Sequence, residues 1–128
     1  MKYQWDNKKP TAQMLGRWQP FHDGHYSLFK EIIKKTRNSN LKFGYKFGLE
    51  FLNSKKGRGF ISKLKNVTTF GDYKFADIPN TCASAVKAIK DLKFNYLTIH
   101  ISSGLEALKA AKKVSGKTKL VGVTVLTL

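Results

Sequence analysis

An α/β fold of parallel strands alternating with helices, a partial (β/α) barrel or an opened Rossmann-like sheet of about five strands, is what this sequence predicts. Three observations lead there. Short apolar or β-branched runs alternate with helix-period segments from about residue 11 onward, giving five βα-type steps. The segments between the strands are long enough for crossover helices, and parallel strands require such crossovers because no tight turn can join them. A closed eight-stranded barrel takes about 250 residues, so 128 residues supply about half of one.

Taken in order, Gln13 to Gly16 is a short strand candidate. A helix follows from about Gly24 to Arg37, with Leu28, Phe29, Ile32 and Ile33 on one face. Leu41 to Leu49 reads as the second strand, after which Asn53 and Ser54 are placed to cap a short helix carrying Phe60, Ile61 and Leu64. The basic run Lys55 to Gly59 is expected to be a mobile loop. Val67 to Phe70 is the third strand. Pro79 suits a first helical turn, and Ala83, Val86, Ile89 and Leu92 mark the buried stripe of a helix reaching about Asp91. Tyr96 to Ile101 is the fourth strand, Leu105, Leu108, Ala111 and Val114 line the next helix, and Gly116 is positioned to end it. Leu120 to Leu126 is the fifth strand. The expected organisation is a polar segment over 1–12 and one α/β domain over 13–128, in which 13–40 and 41–128 differ in character.

Composition narrows the function classes. Apolar residues make up 41%, which is ordinary for a globular chain. No apolar run approaches the 18 or so residues of a membrane span, and the first ten residues are too polar for a signal peptide, so a cytoplasmic protein without membrane contact is expected. Cys82 is the one cysteine, which excludes an intramolecular disulfide and a multi-cysteine zinc site and leaves it a small packing residue. The net charge of +16 attracts polyanions. Nearly all of it is lysine, with arginine only at 17, 37 and 58, whereas readers of nucleic acid favour the bidentate guanidinium. Nucleic acid is thus compatible with the composition but not favoured by it.

The residues able to carry chemistry gather at the carboxyl ends of the expected strands, where parallel α/β folds place their ligands. Asp72 and Lys74 are two apart, so strand alternation would put both on one face. Lys46 falls at the end of the preceding strand, Asp77 just beyond the third and His100 at the end of the fourth. Opposite charges at one rim hold each other ionised in a partly dry pocket. A structural ion-pair network would use the same spacing, and spacing alone does not choose between the two.

The run Gly71-Asp72-Tyr73-Lys74-Phe75-Ala76-Asp77-Ile78-Pro79-Asn80-Thr81 resembles the Asp-x-Lys-x-x-Asp-Ile-Pro signature of the orotidine 5′-phosphate decarboxylases. Tyr45 to Phe51 is similar to that family's preceding strand. Leu97-Thr98-Ile99-His100 with Ser103-Gly104-Leu105-Glu106, then Gly122 to Thr127, resemble its fourth and fifth strands. The resemblance implies a lyase acting on a pyrimidine nucleotide without a cofactor, and a homodimer. It assigns Lys46, Asp72, Lys74 and Asp77 to a charged tetrad, with Asp77 lent to the neighbouring subunit and Ile78 and Thr81 helping to line that neighbour's pocket. His100 and Thr127 join the substrate-binding set. The family's first strand with its ribose-binding aspartate, and its phosphate-gripping glutamine and arginine beyond the fifth strand, have no counterpart in the 128 residues, and Leu128 stands where a serine is expected. Impaired turnover is the corresponding expectation.

A second resemblance lies at the front. Leu15-Gly16-Arg17-Trp18-Gln19-Pro20-Phe21-His22-Asp23-Gly24-His25 is similar to the start of the His-x-Gly-His nucleotidyltransferases. It implies phosphate contact by Arg17, His22, Gly24 and His25 at a helix N-terminus, whose free amides and dipole favour anions. Nucleotidyl transfer and non-catalytic polyanion binding are therefore the alternative functions.

Overall fold

The computed structural model describes residues 23–36 and 44–126. The chain divides into two compact units at Phe43/Gly44.

In the first unit the described element is helix α1, Asp23–Thr36, which matches the helix expected from Gly24 to Arg37. Lys34 and Lys35 lie in its last turn, where cations meet the negative end of the helix dipole. The strand candidate Gln13 to Gly16 lies outside the described residues.

The second unit contains a parallel sheet of β1 (Gly44–Phe47), β2 (Thr68–Phe75), β3 (Tyr96–His100) and β4 (Lys119–Val123), in sequential order. Between β1 and β2 run the short helices α2 (Leu49–Leu52) and α3 (Lys55–Lys63), between β2 and β3 runs α4 (Pro79–Ala88), and between β3 and β4 runs α5 (Leu105–Val114). The order and the crossovers are those of a partial (β/α) barrel. Leu49 opens α2 rather than closing the strand, and β2 runs five residues past the expected Phe70. The helix expected to reach Asp91 stops at Ala88 and gives way to a tight turn over Lys90–Leu92. Gly116 follows α5 with φ +60°, a left-handed position that a side chain would strain.

Strand alternation sorts the side chains. Phe47, Leu97 and Ile99 point to the helix side and are almost fully buried, together with Phe51, Ile61, Cys82, Val86, Ala107 and Ala111. Cys82 is packed as expected, and its thiol also donates to the Asp77 carbonyl at 3.2 Å. Helices α4 and α5 pack on each other, the alanine stripe of α5 letting the two backbones come close. On the other side of the sheet Lys46, Phe70, Tyr96 and Lys119 stand in register as one row across all four strands. Phe70 and Tyr96 stack at 5.9 Å, and a lysine ammonium lies over the outer face of each ring, at 5.6 and 5.9 Å.

The run Lys55 to Gly59, expected as a mobile loop, is instead the first half of α3. Ser54 is its N-cap: the hydroxyl accepts the Gly57 N–H at 3.0 Å and donates to the Phe51 carbonyl at 2.8 Å. Gly57 is buried so closely against the Phe51 carbonyl that a Cβ there would come within 1.8 Å of the oxygen. Arg58 is tied down by Asp91, one guanidinium nitrogen reaching both carboxylate oxygens at 2.7 Å. Tertiary contacts thus hold a helix that local propensity would not.

At the amino ends of the strands Asn95 acts as a clamp. Its side-chain oxygen accepts the Thr69 N–H at 2.8 Å, its N–H donates to the Thr69 carbonyl at 3.0 Å, and its carbonyl accepts the Lys119 N–H at 2.9 Å. β2, β3 and β4 are thereby aligned at one end, leaving irregularity for the other.

Candidate active site

The irregularity sits in β2. Phe70 pairs with Tyr96 and Gly71 with Leu97, but the next pairing is Phe75 with Ile99, so β2 advances four residues while β3 advances two. Two extra residues are accommodated as a bulge. Within it Lys74 adopts φ +51°, a left-handed conformation costly for a residue with a Cβ. Asp72 and Lys74, expected on one face, do meet, their charged groups 2.8 Å apart, with the bulge lying between the paired Gly71 and Phe75.

The product is a cluster of three ionic groups. Asp72 is 6% exposed. Its Oδ2 accepts from the Lys46 and Lys74 ammonium groups, each at 2.8 Å. Its Oδ1 accepts from the Thr98 hydroxyl at 3.0 Å. Burial pushes the Asp72 carboxyl up, but the hydrogen bonds from Lys46, Lys74 and Thr98 outweigh it and hold the group below its ordinary value. The anion is therefore fully formed near neutrality. Lys74 keeps 35% of its side chain exposed and Lys46 keeps 56%, so both cations face outward from a buried counter-charge. One anion beneath two cations makes an electropositive spot with a fixed position, suited to an anionic ligand.

The other expected residues fall in different places. Asp77 is exposed, and its carboxylate accepts the N–H of its neighbour Ile78 at 2.7 Å; among the described residues it forms no ion pair with the cluster. Ile78 is 65% exposed and Thr81 is also open. His100 ends β3, half-buried, on the same face as Thr98 two residues earlier. Gly24 is exposed in the first turn of α1 and His25 follows it there. Arg17, His22 and Thr127 lie outside the described residues. Sequence reasoning missed Thr98, which reads only as a β-branched strand residue.

A cleft of about 250 Å³ opens beside the bulge, lined by Tyr73, Lys74, Phe75, Ala76, Asp77, Thr81, Cys82 and Ala85. Lys46, Asp72 and Thr98 do not line it. The charged cluster is instead on the open sheet face, and Lys74 alone is common to both places. Among the described residues no group of three or more His, Cys, Asp or Glu is placed to hold a metal ion, and no helix is long and apolar enough to cross a membrane.

A parallel βα half-barrel with a lysine–aspartate–lysine cluster at the carboxyl ends of its strands defines a class of α/β enzyme scaffold. The model of the orotidine 5′-phosphate decarboxylase / HUMPS family matches residues 29–128, and the chain belongs to that family. The match starts within α1, twelve residues before the boundary read from the sequence at Leu41, so the second half of that helix is part of it. Orotidine 5′-phosphate decarboxylase of a Wolbachia from Brugia malayi is 49% identical over 85 residues, covering 64% of this chain and 38% of the relative. Among solved structures, orotidine 5′-phosphate decarboxylase from Lactobacillus acidophilus aligns with TM-score 0.63 at 30% identity over 79% of this chain and 49% of that one. The Methanocaldococcus jannaschii enzyme, solved with the inhibitor BMP, aligns with TM-score 0.51 at 30% identity over 60% of this chain and 37% of that one. The chain spans less than half the length of these relatives.

Proposed function

We propose that this chain carries the catalytic half of an orotidine 5′-phosphate decarboxylase, a cytoplasmic pyrimidine-nucleotide lyase that needs no cofactor. The observation that carries the reading is Asp72, buried and ionised, gripped at 2.8 Å by both Lys46 and Lys74. When the bond between the pyrimidine ring and its carboxylate breaks, the electron pair stays on the ring carbon and carbon dioxide leaves. A fixed cation at that carbon stabilises the charge, and its proton then completes the new C–H bond. Lys74 fills both roles, its ammonium paired with Asp72 at 2.8 Å. Asp72 also sets its negative charge against the substrate carboxylate, while Lys46 orients Asp72 and reaches toward the ribose. His100 and Thr127 contact the nucleotide.

The second acidic residue of the motif acts across a dimer. Asp77, Ile78 and Thr81 are exposed, an arrangement suited to completing the pocket of a second copy. The test is release of carbon dioxide from orotidine 5′-phosphate by the purified chain. Measurable turnover is expected, and none at saturating nucleotide would refute the reading.

The front of the chain supports a second proposal, phosphate contact by Arg17, His22, Gly24 and His25. The observation in its favour is that α1 starts at Asp23, inside the His-x-Gly-His run, so that Gly24 sits at a helix N-terminus. Pyrophosphate release from a nucleoside triphosphate tests it.

A further inference from the structure

The bulge in β2 creates a problem that one residue of β3 solves. Opposite Asp72, Tyr73 and Lys74 the neighbouring strand offers a single residue, Thr98, between the paired Leu97 and Ile99. Where a regular ladder would give the Lys74 N–H a carbonyl, it donates to the Thr98 hydroxyl at 2.8 Å. The same hydroxyl donates its proton to Asp72 Oδ1 at 3.0 Å. A hydroxyl has one proton to give and lone pairs to accept with, so Thr98 can do both at once. It is 5% exposed, so water is a poor substitute.

We propose that Thr98 is a positioning residue of this site: its hydroxyl fixes the left-handed backbone at Lys74 and the carboxylate of Asp72 together. This rests on the decarboxylase reading for its catalytic consequence, but the geometry it explains is independent of turnover. Without the hydroxyl, the Lys74 amide would lack its partner and Asp72 would lose one of its three side-chain donors. The bulge would then relax, and the Lys74 ammonium would shift relative to a bound ring. The role needs the hydroxyl and not the methyl group. That separates it from simple packing.

The experiment compares Thr98→Val, which keeps the shape and removes the hydroxyl, with Thr98→Ser, which does the reverse. The first readout is the titration of the Asp72 side-chain carboxyl, followed by ¹³C NMR in the full chain. Lys46, Lys74, His100 and Lys119 share this face and are followed in parallel. Thr98→Val should move the Asp72 midpoint upward by about half a unit or more, and Thr98→Ser should leave it near the wild-type value. The second readout is decarboxylation, where Thr98→Val should lower kcat about tenfold or more with a smaller change in KM, and Thr98→Ser should restore it. An unchanged Asp72 midpoint in folded Thr98→Val, or a midpoint displaced as much by Thr98→Ser, overturns the assignment. If wild type shows no turnover, the decarboxylase reading fails while the titration still decides the role of Thr98. Should Thr98→Val not fold, the Thr98→Ser midpoint decides it.

Discussion

Asp72 concentrates the chemistry of this molecule in one carboxylate. Burial alone would favour its neutral form; three donors reverse that, and the folded group ionises at lower pH than in an unfolded chain. A depressed carboxyl contributes stability that is complete above the unfolded value, about pH 4, and that disappears as pH falls through the folded value. Asp72→Asn should therefore flatten the loss of stability below about pH 4, as read by chemical denaturation at a series of pH values. A steep acid decline retained in the variant would move the responsibility to another carboxylate. The identities of Lys46, Asp72 and Lys74 were legible in the sequence through their motif. The two-residue spacing of Asp72 and Lys74 pointed to the contact they make, but the two-residue bulge around them leaves no mark in the pattern of side chains. Thr98 escaped notice for the same reason: its importance comes from what stands opposite it.

Individual elements divide by whether local or tertiary forces make them. Helices α4 and α5 follow from apolar spacing, a proline at the first turn of α4 and a glycine after α5, all visible in the residues. Helix α3 does not, since two glycines and a cluster of cations in nine residues look like a loop. It exists because Ser54 caps it, Arg58 is held by Asp91, and Gly57 fits against the Phe51 carbonyl. Gly57→Ala, which would raise the propensity of an isolated helix, should instead destabilise the protein by about 1–3 kcal/mol through overpacking against the backbone. Thermal denaturation measures this, and a variant as stable as wild type would mean that Gly57 is not confined as described.

At the scale of the whole molecule, the sheet topology was readable from the alternation of periods. The reach of the family match back to residue 29 was not, because a helix with an apolar stripe is common to many folds. Charge governs how copies of this chain meet. With a net charge of +16, two copies repel over a distance that shrinks from about 30 Å at 0.01 M salt to about 8 Å at 0.15 M. If Asp77 serves a second copy, dimers should be scarce at low ionic strength and abundant near 0.15 M. Light scattering across that range would test it, and a monomer at every salt concentration would remove the shared site.

The most direct measurement is the rate of carbon dioxide release from orotidine 5′-phosphate by the wild-type chain and by Lys74→Ala under identical conditions. Turnover by the wild type that falls at least about a thousandfold in the variant is expected if Lys74 supplies both charge and proton. Turnover that survives the substitution would contradict the role given to that ammonium, and with it the reading of the cluster as a catalytic centre.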